Sequence, residues 1–343
     1  MAVQEKIFSR KRLSKAIQQV KPPALFLWTM LVGEEIEEKT QEFEVQTKEA
    51  GRYRVPLVSR RENGILIEKE GFSVSVYKPP LMKFKVINKA EAIFDQNFGS
   101  TVYDSPEKAA QKELLEELKN LKNIGARTRL WMLSQLVTTG VCPLAEGKQG
   151  IKFGEFEKEI LTDQAWSKPE TDIINYLRAK QLEIQQKTGI VIDSLIITPD
   201  VEEAMLKNTQ IREYLQQTNA NIIRINDKTA ASEGAREVMY LPTLGITVYS
   251  YKEWAKLINT NGSEEPIIPD KTIIGFKEKS FRCHYGAVAL RPAPGQRATV
   301  HVAKEIVRPL YPEGTEDDLL EYISAPLVAP LDASAWFCAQ VLG

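Results

Sequence analysis

The stretch from Asp104 to Gly140 constrains the fold most, because its pattern predicts a single very long helix. Asp104 or Ser105 can cap the first turn, and Pro106 suits an early helical position. Gly140 supplies a stop, and the acidic side chains precede the basic ones, as the helix dipole favours. Two apolar sets with spacings of three and four residues give the helix packing faces. They are Ala110, Leu114, Leu118, Leu121 and Ile124, then Leu130, Trp131, Leu133, Leu136 and Val137.

At a rise of 1.5 Å per residue the predicted helix is roughly 50 Å long, which exceeds the ~30 Å diameter of a small domain. We therefore expect an elongated molecule whose other elements attach to this rod. Gly125 lies in the interior of the pattern, where a glycine costs about 1 kcal/mol. The alternative interpretation is two ordinary helices joined near residues 123–125.

The composition is that of a globular protein with a substantial core. The chain has 343 residues, of which 43% are apolar and 27% are charged, and this length allows two or three domains. The formal net charge of −1 lacks the strong basic excess of a dedicated nucleic-acid-binding domain. No apolar run approaches the length of a membrane span, and the N-terminus lacks the pattern of a signal peptide.

Cysteine and histidine usage argues against a metal site or a catalytic centre. Cys142, Cys283 and Cys338 lie far apart, which fits a reducing compartment and predicts neither a disulfide framework nor a zinc site. Histidine, the commonest general base and metal ligand, occurs only twice. Because no nucleophile–base or metal-ligand spacing occurs either, we expect no cofactor, no bound metal and no enzymatic activity.

Residues 1 to 21 form a basic segment that ends at Pro22–Pro23. Six positive charges less one negative give this segment a charge of +5. One interpretation is a solvated amphipathic arm, and the other is contact with an acidic partner such as nucleic acid. Its densest basic run is Arg10, Lys11 and Arg12.

Residues 60 to 86 have the pattern of a β-hairpin, with a strong turn signal at Asn63–Gly64. Apolar and aromatic residues occur on both faces of its strands, whereas a hairpin with one solvated face should show one polar face. Two strands alone are marginal in water, so the hairpin must pack on its own domain or on a neighbouring molecule. In the second case the predicted intersubunit contacts are Ile65, Ile67, Phe72, Val74, Val76, Tyr77 and Lys78.

Residues 160 to 290 have the alternating pattern of a mixed α/β domain. The predicted elements are the helices Asp172–Thr188 and Asp200–Leu215 and the strands Ile190–Thr198, Asn221–Asn226, Gly245–Tyr251 and Thr272–Gly275. The turns after these strands lack the glycine pattern that a dinucleotide needs. We interpret Asp193 and Asp200 as a strand-end group and a helix cap rather than a catalytic pair. The apolar run Ala335–Leu342 predicts a buried closing strand.

Nine short blocks occur in the same order as in one known family. They are Tyr53–Ser59, Tyr77–Pro80, Arg129–Met132 leading to Thr138–Gly140, Ala165–Ser167, Ile196–Pro199, Tyr249–Tyr251, Ile268–Asp270, Tyr285–Gly286 and Ser324–Leu327. Together they span nearly the whole chain. In these blocks the sequence resembles the major capsid proteins of lambda-like tailed phages, the capsid protein E family.

The resemblance implies an α+β fold of the Hong Kong 97 phage type, with a long spine helix, an extended β-hairpin loop, and peripheral and axial domains. The implied segments are an N-terminal arm (1–35), strands with the extended loop (36–88), a peripheral domain (89–160) containing spine helix 104–140, an axial domain (161–317) and a C-terminal strand (318–343) that returns to the peripheral domain.

The resemblance also implies a function and partners. The implied function is a major head protein that self-assembles into an icosahedral shell of hexamers and pentamers around phage double-stranded DNA. The extended loop would reach over a neighbouring subunit, and Arg10, Lys11 and Arg12 would face the interior and contact the DNA without sequence preference. Further implied partners are a scaffold, a portal and, in many members, a decoration protein. No membrane is implied. Assembly would occur in the host cytoplasm, and the protein would end in the virion capsid.

Two alternatives to this function remain open at the level of the sequence. The same fold could form the shell of a cellular protein compartment that encloses an enzyme cargo. A cytosolic α/β hydrolase or transferase could instead use residues 160 to 290. This second alternative needs a cleft with perturbed titratable groups, for which the sequence offers no candidate.

Overall fold

A computed structural model describes residues 10–20, 25–47, 73–88, 106–144, 150–217 apart from 155, 157 and 164, 234–257, 263–291, 295–311, 314 and 318–342. Its helices are α1 (Arg10–Gln19), α2 (Phe26–Leu31), α3 (Pro106–Thr139), α4 (Ile173–Thr188), α5 (Pro199–Lys207) and α6 (Thr209–Gln217).

The strands of the first half are β1 (Val32–Glu37), β2 (Phe43–Thr47), β3 (Ser73–Tyr77), β4 (Met82–Asn88), β5 (Val141–Cys142), β6 (Ile151–Lys152) and β7 (Glu159–Ile160). The strands of the second half are β8 (Ser194–Ile197), β9 (Ala235–Leu241), β10 (Ile246–Tyr251), β11 (Trp254–Ala255), β12 (Glu265–Pro266), β13 (Thr272–Phe276), β14 (Phe281–Tyr285), β15 (Val288–Leu290), β16 (Thr299–His301), β17 (Ile306–Leu310), β18 (Asp318–Ser324), β19 (Pro326–Pro330) and β20 (Phe337–Gln340).

The long helix predicted from the sequence is confirmed as one continuous helix of 34 residues, α3. It ends where Gly140 adopts a left-handed conformation (φ +72°) and donates its N–H to the carbonyl of Leu136. The alternative of two helices is wrong, and Gly125 has a packing role instead. A Cβ at Gly125 would lie 2.5 Å from the hydroxyl oxygen of Tyr322, so glycine provides space for that ring.

The N-terminal half of α3 belongs to one core and its C-terminal half to another. Around the first half, Leu114, Leu118 and Leu121 pack with α1 and with the sheet of order β17-β18-β4. Around the second half, residues 126 to 137 pack with α2, with the sheet of order β1-β14-β19 and with a larger sheet. Helix α3 therefore connects two hydrophobic cores, as we expected from its length.

The larger sheet has six strands in the order β7-β20-β13-β8-β10-β9. Because strand side chains alternate between faces, Ile196 and Ile274 point towards α3, whereas Leu195 and Ile273 point towards the other helices. That second face is covered by α4, α5 and α6. The predicted mixed α/β region is thus confirmed in outline.

Two local expectations for this region need correction. The predicted helix Asp200–Leu215 is two helices, since it breaks at Asn208. The side chain of Asn208 donates to the carbonyl of Thr171 and accepts from the backbone N–H of Ile211, so it ends α5 and begins α6. The strand predicted from Ile190 is shorter and begins at Ser194.

The predicted buried closing strand is confirmed as β20. By its hydrogen bonds β20 lies between β7 and β13 in the six-stranded sheet. Just before it, the indole N–H of Trp336 donates to the carbonyl of Val137 near the end of α3. The strand returning beside the helix is β18, which pairs with β4 and β17.

The family block Tyr53–Ser59 and the predicted strand Asn221–Asn226 lie outside the described residues, as does the predicted turn at Asn63–Gly64.

Candidate self-association surface

The second strand of the predicted hairpin forms β3, and it pairs antiparallel with β2, which lies outside the predicted range of residues 60 to 86. The register pairs Phe43 with Tyr77 and Thr47 with Ser73. Within the described residues these two strands hydrogen-bond to each other and to no third strand. A ladder of two strands is marginal in water, so this one needs a further surface to pack on. The predicted partner strand around Ile65–Ile67 lies outside the described residues.

The predicted contact residues have different environments. Ile65, Ile67 and Phe72 lie outside the described residues, and Val74 is described in its backbone only. The side chain of Val76 is 61% exposed, which leaves it accessible to another molecule. Lys78 is exposed and lies 3.8 Å from the carboxylate of Glu42. Tyr77, in contrast, is half-buried, and its ring centre lies 5.3 Å from that of Phe153 in the same subunit.

Within the basic arm, Arg10–Gln19 form helix α1, which packs against the body of the subunit. Leu13 and Ile17 of α1 are buried against α3 and β17, and the hydroxyl of Ser14 exchanges hydrogen bonds with the backbone of Val307. At the end of α1 the ammonium group of Lys122 donates to the carbonyls of Ile17 and Val20. A cation at this end of a helix satisfies carbonyls that lack intrahelical partners.

Arg10, Lys11 and Arg12 occupy the first turn of this helix, and their side chains lie outside the described atoms. Lys15, one turn later, is exposed.

A buried charge network lies between α3 and the segment that enters β17. The carboxylate of Glu305 lies 3.0 Å from Arg129 and 3.6 Å from Lys122, and it accepts a hydrogen bond from the hydroxyl of Tyr322. Burial, and then the charge of Glu305, raises the pKa of Tyr322 well above its ordinary value. Burial opposes the charge on Arg129, but the neighbouring oxygens of Tyr285, Tyr322 and Glu305 outweigh it and raise the pKa of that guanidinium.

Perturbed pKa values can indicate a catalytic site, but these groups are enclosed and bonded to one another rather than open to a substrate cleft. The network therefore holds buried side chains of the subunit together rather than forming a catalytic site. Sequence reasoning missed it because its members are distant along the chain. One available signal was the seven-residue spacing of Lys122 and Arg129, which puts two cations on the same buried face of the helix.

Two of the cavities among the described residues are open grooves. One, of about 1180 Å³, lies beside the end of α3 and is lined by Lys152, Lys158, Lys180, Lys187 and their neighbours. Glu159 and Glu183 pair with Lys180, and Glu183 also pairs with Lys187, so part of this charge is neutralised within the subunit. Among the described residues no group of acidic, histidine or cysteine side chains could hold a metal ion, and no described helix meets the length and apolarity needed to cross a bilayer.

Comparison with known proteins gives one family. The family model described as phage major capsid protein E matches residues 9–341. Among curated proteins, no significant match to the sequence was found.

Solved structures show the same fold at low sequence identity. A protein described as a prophage capsid protein from Escherichia coli CFT073 superposes with a TM-score of 0.67 and 15% identity, over 99% of this chain and 98% of its own. A phage-related protein from Bordetella bronchiseptica RB50 has a TM-score of 0.54 and 12% identity, over 96% of both chains. The expected Hong Kong 97 type of fold is thereby confirmed.

Proposed function

The chain belongs to the phage major capsid protein E family and is a capsid shell protein, and from this premise we propose that its copies close into an icosahedral shell of hexamers and pentamers around double-stranded phage DNA. The match to phage capsid proteins favours a virion over the shell of a cellular protein compartment. On this proposal the protein assembles in the host cytoplasm and ends in the virion.

The observation that carries the proposal is the two-stranded β2–β3 ladder, which has no third strand among the described residues. Burying an apolar side chain contributes about 1.5–3 kcal/mol, so a few residues of the hairpin placed on a neighbour would give a substantial contact. Ordering the hairpin offsets part of this gain. Ile65, Ile67, Phe72, Val74 and Val76 are the proposed contacts, together with Lys78. Tyr77, which is half-buried, also stays a proposed contact, and within its own subunit its ring packs on Phe153.

The basic arm is proposed to face the interior. Cations near a phosphate backbone gain free energy from counterion release, and the arm concentrates positive charge in a chain of formal net charge −1. Arg10, Lys11 and Arg12 are the proposed contacts with DNA. If trypsin cleaves there as fast in intact shells as in free subunits, the arm is exposed on the outside.

The protein is proposed to have no enzymatic activity, since the charged groups around Glu305 are enclosed and bonded to one another. Proposed further partners are a scaffold and a portal during assembly and a decoration protein on the outer surface. Co-purification of these partners from infected cells would test their binding.

The shell and the hairpin contact are tested together by a deletion. Residues 50–70 are replaced by a short Gly/Ser linker, so that β2 and β3 stay intact together with the Phe43–Tyr77 pair at the base of the ladder. We expect the parent to form closed particles in negative-stain images and the deletion variant to sediment as monomers or isolated capsomers with an unchanged far-ultraviolet circular dichroism spectrum.

A matched control replaces residues 258–262 with the same linker and is expected to assemble. Closed particles from the deletion variant would show that the hairpin is not an assembly contact. Failure of the parent to assemble under any condition would contradict the proposed function itself.

A further inference from the structure

The β2–β3 ladder meets the body of the subunit at its first pair of residues, Phe43 and Tyr77. These two residues face each other across the ladder, and each ring packs against a different part of the body. Phe43 is only 6% exposed and belongs to the core beside the second half of α3. Beyond this pair, Val76 is 61% exposed. The aromatic pair is thus the point at which the hairpin leaves the subunit.

On one side of this root, Phe43 stacks on His284 of β14. The ring centres are 5.0 Å apart and the ring planes differ by 21°. Nδ1 of His284 lies 2.9 Å from Oε1 of Glu38, which sits in the turn that leads from β1 to β2. His284 and Glu38 are 14% and 26% exposed, so water screens their interaction only in part. The register partners of His284 on the flanking strands, Ile36 and Leu327, are apolar.

On the other side of the root, Tyr77 packs on Phe153, and Pro79 follows in a tight contact with Gly286. A Cβ at Gly286 would lie 2.6 Å from Cγ of Pro79, so the close approach depends on glycine. Gly286 directly follows β14, two residues after His284. The two sides of the root are therefore tied to the same short segment of the subunit.

We propose that Phe43 and Tyr77 form a two-point anchor that sets the direction in which the hairpin leaves the subunit. The inference rests on the proposed function and adds positioning residues to it. A single point of attachment would leave the ladder free to swing, whereas two points on paired residues fix its direction. A hairpin held in direction loses less conformational freedom when it docks on a neighbour.

The first measurement is amide hydrogen exchange of unassembled subunits, with protection of the β4–β18 ladder as the internal reference. Phe43→Leu removes the stack on His284, so protection of β2 and β3 should fall in this variant while the reference is unchanged. Equal protection of β2 and β3 in the parent and in Phe43→Leu would overturn the anchor.

The second measurement separates positioning from stability. Phe43→Leu removes the stack at the root, and Phe84→Leu removes a comparable stack, on Tyr322, away from the root. We expect Phe43→Leu to lose most closed particles and to weaken protection of β2 and β3, while Phe84→Leu lowers the urea midpoint yet still assembles.

Equal assembly of the parent and Phe43→Leu would overturn the anchor and leave the proposed function standing. Equal loss of assembly in the two variants would also overturn the anchor, because it would show an effect of stability alone. A parent that never assembles would overturn the proposed function and the anchor with it.

Discussion

Nη1 of Arg129 in the long helix lies 3.0 Å from Oε1 of Glu305, and both side chains are almost completely buried. Lys122 approaches the other carboxylate oxygen at 3.6 Å. Removing charges from water is costly, so this pair is maintained only because each charge has partners in place. The arrangement joins α3 to the start of β17, a strand of the β17-β18-β4 sheet.

Glu305→Gln should be strongly destabilising, because it leaves two buried cations without their carboxylate. Breaking a buried ion pair from one side typically costs about 3–5 kcal/mol in the free energy of unfolding. Urea unfolding followed by circular dichroism measures the loss. Glu203→Gln is the matched control, since the Glu203–Lys207 pair is solvent-exposed, and no measurable change is expected there. A loss no larger than that of the control would show that the network does not stabilise the subunit.

Gly125→Ala should be destabilising although it improves helix propensity. In an exposed helix interior the substitution gains about 1 kcal/mol. Here the new Cβ would meet the hydroxyl oxygen of Tyr322 at 2.5 Å and its Cζ at 2.8 Å. Asn120→Ala, on the exposed face of the same helix, is the control and should be neutral or slightly stabilising. A Gly125→Ala variant with a raised urea midpoint would show that the ring of Tyr322 moves aside without cost.

These two sites mark how far local sequence reasoning reaches. Caps, apolar spacing and the glycine stop all lie within α3 itself, and they predicted its extent within about two residues. Gly125 was interpreted as a weak point because its reason for being glycine, the ring of Tyr322, lies far away in the chain. The Glu305 network was missed for the same reason.

The position of β20 and the packing at the root of the hairpin show a second limit of local sequence reasoning. The apolar pattern of residues 335–342 predicted a strand, but a pattern of period two does not say which strands it joins. Tyr77 was predicted as an intersubunit contact from its alternation with Val76. The packing of Tyr77 on Phe153 depends on a residue that the hairpin pattern does not contain.

Lys122→Met should release the arm helix from the spine. The ammonium group of Lys122 donates to the carbonyls of Ile17 in α1 and of Val20 just after it, and methionine has a similar length but no donor. We expect faster tryptic cleavage after Lys15 in unassembled subunits, with cleavage elsewhere as the reference. Lys119→Met is the control, since Lys119 is exposed on the same helix. Equal cleavage after Lys15 in both variants would show that Lys122 does not hold the arm.

Glu35 should contribute to the loss of stability in acid. Burial alone raises its pKa, but the hydrogen bond and charge of Lys304, the charge of Arg129 and the hydrogen bond from Trp28 outweigh burial, so the net pKa lies below the ordinary value of 4.5. A lowered folded-state pKa means that stability is present above about pH 4.5 and is lost as the pH falls through the folded value. Glu35→Gln should therefore flatten the acid limb of the unfolding free energy, and Glu34→Gln, at a more exposed position, should leave it steep. Parallel acid limbs in Glu35→Gln and the parent would contradict this assignment.

The three cysteines should be inert until the subunit unfolds. Burial raises the pKa of the Cys142, Cys283 and Cys338 thiols to about 12, from an ordinary value of 9. Because the thiolate is the reactive form, native subunits at pH 8 should react with an aromatic disulfide reagent only as fast as they open, and three thiols per chain should react at once in urea. The raised pKa values also mean that stability is complete below pH 9 and falls as the pH rises from 9 towards 12, since the unfolded chain loses its thiol protons first. Replacing all three cysteines with alanine should flatten part of that alkaline fall, and the buried Tyr285 and Tyr322, whose pKa values are also raised by burial, should contribute to the remainder. One thiol that reacts rapidly in folded subunits at pH 8 would show that the core around it opens without global unfolding.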